Sequence, residues 1–385
     1  MTNASKSSLV LWLILAVSIA AISATPSVEW TRTFGSPQYE DVRDVIQTSD
    51  GGYIVFGTTA ATSQRQLWLV KLDTQGNIVW ENTYGGHGSE TAWSMTPTHD
   101  EGYLLGGSYA ATEFSDRGLA IYKVSAQGDL QWEYVSDVSN NTNRPLVLES
   151  EDGGCSVFCV ANMGQEQGIL HTLLTAQGAL IGTGFIIPDP GYSIPNDIVR
   201  LEDGRVLLFG EGGSADYDVW DGLLMSISPD GEHEWTTRVG GAGSEEGYGL
   251  ARTSDDAVIV IGISMSPGTR GPDFYLSKLS LDGDQLWYRN FGGASGDLGF
   301  TVKATNDGGA VAIGTTFGIS GRSGIYLFRV DGDGIRVWST VIGARGDFGY
   351  SVRDTADGGM ILGAVRDMDG PGRGDILVIK MSSDE

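Results

Sequence analysis

The sequence predicts an all-β fold, a seven-bladed β-propeller of four-stranded antiparallel blades whose ring is closed by the N-terminal strand. Three observations carry this prediction: a motif that recurs about every fifty residues, four short strand patterns in each period, and an offset between the two ends of the chain. A fixed period of this length is typical of repeat architectures, and four strands per period are typical of propeller blades.

The recurring motif is an aspartate followed by one or more small residues and a short apolar run. The gaps between successive aspartates are 50, 52, 51, 52, 52 and 50 residues. The residue five positions earlier is apolar in all seven copies, and the residue two positions earlier carries a hydroxyl in six of seven. This pattern predicts a tight turn between two strands. The predicted turn residues are Asp50, Asp100, Asp152, Asp203, Asp255, Asp307 and Asp357.

Two further strands complete each period, and the last of them carries a tryptophan. The third strand is exemplified by Leu67 to Leu72, and it is followed by a turn that contains Asp or Gly. The tryptophans of the fourth strand are Trp30, Trp80, Trp132, Trp235, Trp287 and Trp338. Because a large ring recurs at the same place in successive blades, we interpret these residues as packing between blades rather than as a sugar-binding surface.

The ends of the chain predict how the ring closes. The chain stops just after a third strand, whereas a tryptophan strand, Val28 to Thr31, precedes the first complete repeat. The N-terminal strand is therefore expected to complete the last blade. The domain is predicted to span 25–385, with repeats at approximately 28–78, 79–130, 131–180, 181–233, 234–286, 287–337 and 338–385.

The first residues predict export. Lys6 precedes a 14-residue apolar run, Leu9 to Ile22, which has the length of a signal-peptide core and is short for a membrane span. We interpret residues 1–24 as a signal peptide, with an uncleaved N-terminal anchor as the alternative. The predicted location is secreted or at the cell surface.

Composition excludes several partners. Asp and Glu number 49 against 24 Lys and Arg, a net charge of -25, so a nucleic-acid partner and polybasic membrane docking are both disfavoured. We expect a monomer that binds an extracellular protein or glycan. The two cysteines, Cys155 and Cys159, lie four residues apart in a predicted strand, about 13 Å from each other, which is too far for a disulfide.

Taken together, Trp-x3-Phe/Tyr-Gly-Gly, Thr-x-Asp-Gly-Gly-Tyr and Trp-Leu-Val-Lys-Leu-Asp-x2-Gly resemble the secreted DGGY-type β-propeller repeats of bacteria and archaea. The resemblance covers 28–385 and implies a surface or secreted propeller without assigned chemistry. More distantly, Asp73-x2-Gly76-x3-Trp80 is similar to the docking turn of quinoprotein propellers, in which the tryptophan packs between blades. The chain has no Cys-Cys dipeptide of the kind that quinoprotein dehydrogenases place over their cofactor.

A series of acidic residues precedes the first strand of several repeats. Its members are Glu40 (or Asp41), Glu90, Glu245 (or Glu246), Asp297 and Asp347. Because the first strand lies nearest the axis of a propeller, these carboxylates could ring one mouth of the channel and bind calcium. The alternative is that each satisfies amides of its own loop. No cofactor is otherwise expected.

The repeat degenerates between Gln131 and Gly191, in the third and fourth blades, where the expected tryptophan near 182 is missing and Phe185 is the candidate to fill its space. Either drift or a specialised binding edge explains this. No nucleophile elbow, phosphate loop or metal-ligand spacing of histidines is present.

We therefore expect a non-catalytic binding or scaffold module at the cell surface. The alternatives are a carbohydrate-active hydrolase or lyase, a quinoprotein-like oxidoreductase, and a structural surface-layer component. An enzyme should place several non-repeating polar residues, including a His or Arg, at one mouth of the channel, whereas a binding ring should be nearly symmetric.

Overall fold

The structure, a computed structural model, describes residues 24–383 apart from 62–63, 113–114, 138–140, 189–191, 214–219, 267–270, 294, 320 and 367–373. The predicted signal peptide therefore lies outside the described residues, except for its last residue. The described part contains twenty-eight β-strands and no helix, and thus no helix able to cross a membrane.

The strands form seven four-stranded antiparallel sheets, the blades. Blade 1 is β2 (Glu40–Gln47), β3 (Tyr53–Thr59), β4 (Gln66–Leu72) and β5 (Ile78–Tyr84); blade 2 is β6 (Ser89–Pro97), β7 (Tyr103–Ala110), β8 (Arg117–Val124) and β9 (Leu130–Val135). Blade 3 is β10 (Asn143–Glu149), β11 (Cys155–Met163), β12 (Glu166–Leu174) and β13 (Leu180–Ile186); blade 4 is β14 (Tyr192–Arg200), β15 (Val206–Gly213), β16 (Trp220–Ile227) and β17 (His233–Val239). Blade 5 is β18 (Glu245–Arg252), β19 (Ala257–Ser264), β20 (Asp273–Ser280) and β21 (Gln285–Phe291); blade 6 is β22 (Asp297–Ala304), β23 (Ala310–Ile319), β24 (Arg322–Val330) and β25 (Arg336–Ile342). Blade 7 is β26 (Phe348–Asp354), β27 (Met360–Arg366), β28 (Asp375–Met381) and, as its outer strand, β1 (Val28–Phe34).

The seven-bladed propeller predicted from the sequence is confirmed, including the closure of the ring. β1 pairs antiparallel with β28, from Val28 opposite Met381 to Phe34 opposite Ile376. Each repeat as bounded in the sequence begins with the outer strand of the preceding blade, so the repeats and the blades are offset by one strand.

The first strand of each blade lies at the axis. These seven inner strands contact one another in sequence, and β26 contacts β2 to complete the circle. The core fills the spaces between neighbouring blades; one apolar cluster, for example, joins Val352 and Leu362 of blade 7 to Val311 and Ile313 of blade 6. Because each blade buries its faces only against its neighbours, the array depends on closure.

The aspartates of the recurring motif lie in the turns between the first and second strands. Asp50 accepts hydrogen bonds from the Gly52 amide at 2.9 Å and the Thr48 hydroxyl at 2.6 Å, and the buried ammonium of Lys71 on β4 donates to it at 2.7 Å. The same ion pair recurs as Lys123 with Asp100, Lys278 with Asp255, Arg329 with Asp307 and Lys380 with Asp357. The turn thus fastens three strands of a blade.

Five of the six outer-strand tryptophans, all but Trp338, lie on the glycine turn that joins the third and fourth strands of the next blade. A Cβ at Gly76 would stand 2.8 Å from the ring of Trp30, and one at Gly128 would stand 2.8 Å from Trp80. The indole of Trp287 also donates to the carbonyl of Gly332 at 2.9 Å. These turn glycines have positive φ, so a side chain would be strained as well as crowded.

The junction between blades 3 and 4 departs from this arrangement. Gly182 stands at the tryptophan position, and the turn glycine of blade 4, Gly231, faces the imidazole of His171 instead, with a Cβ there 2.9 Å from Nδ1. His171 in turn stacks on Phe158 at 4.2 Å. Phe185, expected to fill the space, packs against the cluster shared by blades 2 and 3. Cys155 and Cys159 of β11 are buried free thiols.

Candidate binding site at the mouth of the central channel

Each inner strand contains one irregularity in its pairing with the second strand. In six blades the inner strand has one extra, unpaired residue at this point. In blade 3 the irregularity contains residues 144 and 145 of the inner strand. A bulge re-aims the side chain of the extra residue. The bulge residues that line one central cavity of ≈ 480 Å³ are Arg43, Trp93, Arg144, Asn196, Tyr248, Phe300 and Tyr350.

Blades 1 to 4 contribute a cationic side of this cavity. The guanidinium of Arg43 lies 4.7 Å from the centroid of the Trp93 ring, and that of Arg144 lies 5.4 Å from it. Arg144 also donates to the Asn196 side-chain oxygen at 2.6 Å. Arg43 makes a long 3.3 Å bond to Asp41, while its Nε is buried and has no acceptor among the described residues. We call Arg43, Trp93, Arg144 and Asn196 the cationic arc.

Arg144 has a backbone conformation that side chains rarely adopt. Its φ is 53°, and it is one of four non-glycine residues with positive φ in the described chain. Such a residue costs about 1–3 kcal/mol and persists where its surroundings over-determine it. Here Asn143 accepts hydrogen bonds from the Arg144 amide and from Ser108, each at 3.0 Å, and Ser108 accepts from the Trp93 indole at 3.0 Å. One hydrogen-bond chain therefore fixes Trp93 and Arg144 together.

Blades 5 to 7 contribute an aromatic side. The rings of Tyr248 and Phe300 meet edge-to-face at 5.4 Å, and those of Phe300 and Tyr350 lie tilted at 4.9 Å. The Tyr248 hydroxyl donates to Glu246 at 2.8 Å. Burial raises the pKa of Tyr248 well above its ordinary value, so the phenol stays neutral. We call Tyr248, Phe300 and Tyr350 the aromatic arc.

Further along the inner strands, charged groups are engaged in holding the blades together. Arg353 forms a two-pronged pair with Asp44, at 2.8 and 3.1 Å, and Ser351 donates to the same carboxylate at 2.6 Å. Asp197 accepts from the amides of Ile198 and Leu250, both at 2.8 Å, and burial raises its pKa to about 6. These groups line the cavity but already have their partners.

One carboxyl group near the cationic arc has a pKa that is raised towards neutral pH. Glu211 lies 3.9 Å from Arg144. Burial raises the pKa of Glu211 to about 7, and the neighbouring Glu246 adds to the rise while Arg144 opposes it. A carboxyl with this pKa can hold or release a proton at physiological pH.

The predicted series of carboxylates lies elsewhere. Their side chains are buried, and none lines the central cavity. Glu90, for example, accepts from the amides of Gly86 and His87 at 2.9 and 2.8 Å, and Asp297 accepts from Gly293 at 2.7 Å. Asp347 likewise accepts a hydrogen bond from the amide of Ala344. Glu40 accepts from the hydroxyls of Ser36 and Thr59, and Glu245 accepts from the hydroxyls of Ser264 and Ser266.

These carboxylates also explain the glycines of the Phe/Tyr-Gly motif. A Cβ at Gly85 would stand 2.7 Å from Glu90, and one at Gly343 would stand 2.5 Å from Asp347. Within the described residues, no three His, Cys, Asp or Glu converge as metal ligands. Calcium binding by the series stays a prediction, and an unchanged Tm at millimolar calcium would reject it.

Sequence reasoning missed the bulge residues. They stand seven positions before the turn aspartate in six of the seven repeats, and their types vary, whereas the residue two positions later is apolar in all six. Trp93 also falls outside the outer-strand tryptophan series. A column of large, dissimilar residues on the innermost strand is the signal that could have found the site.

No protein-family profile and no curated protein matches this chain. Among solved structures, the chain is similar to the WD40 domain of Neurospora crassa Pan2, with a TM-score of 0.60, 9% identity and coverage of 93% of this chain and 96% of that one. It is similar to the polysaccharide lyase Uly1 with a TM-score of 0.56, 11% identity and 91% coverage of each chain. It is also similar to the β-propeller domain of the Trilobed protease from Pyrococcus furiosus, with a TM-score of 0.50, 10% identity and coverage of 92% of this chain and 97% of that one. At these identities the likeness shows the fold alone.

Proposed function

We propose that this protein is an exported, non-catalytic binding module of the cell surface, and that its ligand binds in the central cavity between the cationic and aromatic arcs. The observation that carries the proposal is that seven equivalent bulges of one repeat hold dissimilar, mostly large side chains that converge on one cavity. A column that served only blade packing should keep one class of residue in each copy, as the apolar column five positions before the turn aspartate does. A cavity of ≈ 480 Å³ lies in the range of small-molecule and oligosaccharide sites.

The asymmetry of the cavity disfavours a purely structural surface-layer role. Self-assembly of a repeat needs complementary outer surfaces, and it places no demand on an enclosed channel. The cationic arc on one side and the aromatic arc on the other are instead complementary to a ligand that is itself asymmetric.

One observation favours an enzyme as the second candidate. The mouth carries non-repeating polar residues that include Arg43 and Arg144, which is the criterion stated above for catalysis. Glu211, with its pKa raised to about 7, supplies a group suited to proton transfer. A carbohydrate-active hydrolase or lyase is the class that these residues fit, because a carboxyl and a tyrosine are common acid and base groups.

The test uses a protein of residues 25–385 and its Trp93→Ala variant on glycan arrays and in pull-down experiments with extracellular proteins. We expect a ligand that the parent protein retains and the variant loses, with no change in the ligand after incubation. Equal binding by both proteins would reject the cavity as the site. Release of a shortened or unsaturated product, lost in Glu211→Gln, would replace the binding module by the enzyme.

A further inference from the structure

We propose that the cavity recognises an acidic glycan through a uronic acid residue, with the carboxylate on the guanidinium groups of Arg43 and Arg144 and the sugar ring on the aromatic arc. This inference rests on the proposed function and names the chemical class of its ligand.

The cationic arc has unused capacity for an anion. In a chain of net charge -25, two guanidinium groups flank one indole inside the cavity. Arg43 is held by a single 3.3 Å bond to Asp41, and its buried Nε has no acceptor among the described residues. A buried donor without an acceptor is costly, and a planar guanidinium matches a carboxylate with two parallel hydrogen bonds. Arg353, by contrast, is not available to a ligand carboxylate, because its guanidinium already donates two hydrogen bonds to Asp44.

The strained backbone at Arg144 has no structural benefit that a glycine would not provide. A glycine adopts a φ of 53° freely, and other positive-φ positions in the described chain are mostly glycines. The arginine is nevertheless held there, and its side chain lies over Trp93 and beside Asn196. Strain of this kind clusters at ligand-binding positions.

The aromatic arc suits a sugar ring. Tyr248, Phe300 and Tyr350 form a continuous series of rings at centroid distances of 5.4 and 4.9 Å. The C–H groups on one face of a pyranose pack on such faces, while its hydroxyls reach polar groups of the lining such as the Tyr248 hydroxyl. Two sides of opposite character across one cavity thus match the two parts of a uronic acid.

An acidic peptide fits less well, because the backbone of the inner strands is already bonded. Side chains from neighbouring blades donate to the carbonyls that an added strand would need. These bonds run from Ser94 to Pro145, Thr96 to Val147, Asn196 to Gly247 and Thr301 to Tyr350. A peptide would therefore lose the main-chain hydrogen bonds by which sheet edges recognise extended chains.

Calorimetric titration with short oligogalacturonates, and with the same oligosaccharides after their carboxyl groups are reduced to alcohols, tests the inference on residues 25–385. We expect the acidic probe to bind at least about tenfold more tightly than the reduced one, and Arg43→Ala and Arg144→Gly each to lose about tenfold. Arg144→Gly should keep or raise Tm, because it relieves the strained φ, so its loss of affinity cannot be ascribed to unfolding. Arg289→Ala is the matched control, since Arg289 lies 6.0 Å from the Trp287 ring on an outer strand and should not alter affinity.

Three outcomes would overturn the inference. Equal affinity for the acidic and the reduced oligosaccharide would reject carboxylate recognition while leaving a glycan-binding module in place. Preference for sulfated neutral oligosaccharides, or for an acidic peptide that competes at Trp93, would reject the uronic acid but keep the site. If no glycan or peptide binds, or if Trp93→Ala binds the ligand as tightly as the parent protein, the proposed function fails as well.

Discussion

Blades 3 and 4 differ from the other five blades both in how they are stabilised and in what they contribute to the cavity. Blades 1, 2, 5, 6 and 7 each pair a third-strand Lys or Arg with the turn aspartate. At the same position blades 3 and 4 have Leu173 and Ser226. Between the two blades, Gly182 and His171 replace the tryptophan contact.

The same two blades contribute polar residues to the cavity and to its surroundings. Asn143 and Arg144 come from blade 3, and Asn196 and Glu211 come from blade 4. Arg205 partly restores the missing ion pair by donating to Asp203 at 2.7 Å, whereas Asp152 has no ion-pair partner among the described residues. Blades 3 and 4 thus lack repeat contacts and also contribute Arg144 and Asn196 to the cavity, which is what a specialised binding edge predicts.

Removal of residues 25–34 should have the largest effect on stability. It deletes β1, whose Trp30 and Phe34 pack on the cluster between blades 7 and 1. We expect Tm to fall by roughly 10 °C or more, because an open ring leaves the last blade one strand short and exposes an edge. Thermal melts of the two proteins measure this, and an unchanged Tm would show that closure by β1 does not stabilise the ring.

Trp287→Ala and His171→Ala compare the two kinds of junction directly. Trp287 covers Gly334 and donates to Gly332, so its loss should cost about 2–3 kcal/mol. His171→Ala should cost about 1 kcal/mol, because a smaller ring covers Gly231. Urea unfolding gives both values, and a larger cost for His171 would contradict the view that this junction is the weaker one.

Lys278→Met tests the ion pair of a regular blade while keeping the volume of the side chain. The buried ammonium donates to Asp255 and to the Gly308 carbonyl, at 2.7 and 2.8 Å. Since Asp255 is largely exposed, we expect a loss of only about 1 kcal/mol. Leu173→Met, at the same position of blade 3, should be close to neutral; equal losses in urea unfolding would remove the distinction between the blades.

Glu211→Gln tests a pH dependence that belongs to blade 4. The pKa of Glu211 is raised to about 7 by burial, so the folded protein binds its proton more tightly than the unfolded chain. Its contribution should therefore stabilise the protein as pH falls from 8 to 5 and be lost as pH rises through about 7. We expect the difference in unfolding free energy between pH 5 and pH 8 to be smaller in the variant by on the order of 1 kcal/mol. A parent and variant with parallel stability curves would contradict the assignment.

The contribution of the turn aspartates of the regular blades to stability should change with pH in the opposite direction. The bond from Lys123 lowers the pKa of Asp100 to about 2, below that of an unfolded chain, so its contribution is present above pH 4 and lost as pH falls towards 2. The turn aspartates therefore contribute to the acid limb of the stability curve, and Glu211 contributes to the limb near neutral pH.

The sequence by itself determined the architecture of this protein. A period of about fifty residues, the aspartate turns and the displaced tryptophan strand at Trp30 are local patterns, and each is repeated often enough to outweigh its exceptions. The number of blades and the closure by β1 follow from counting them.

Only the tertiary structure decided where a ligand could bind. The acidic series recurs in five of the seven repeats, yet its carboxylates point into their own loops, whereas bulge residues such as Arg43, Trp93 and Tyr248 share no residue type that a repeat alignment would reveal. A one-residue bulge reverses the face to which a strand side chain points, so the direction of these side chains depends on register. Their meeting depends on the packing of neighbouring blades around the axis, which brings together residues about fifty positions apart, and no local pattern records that.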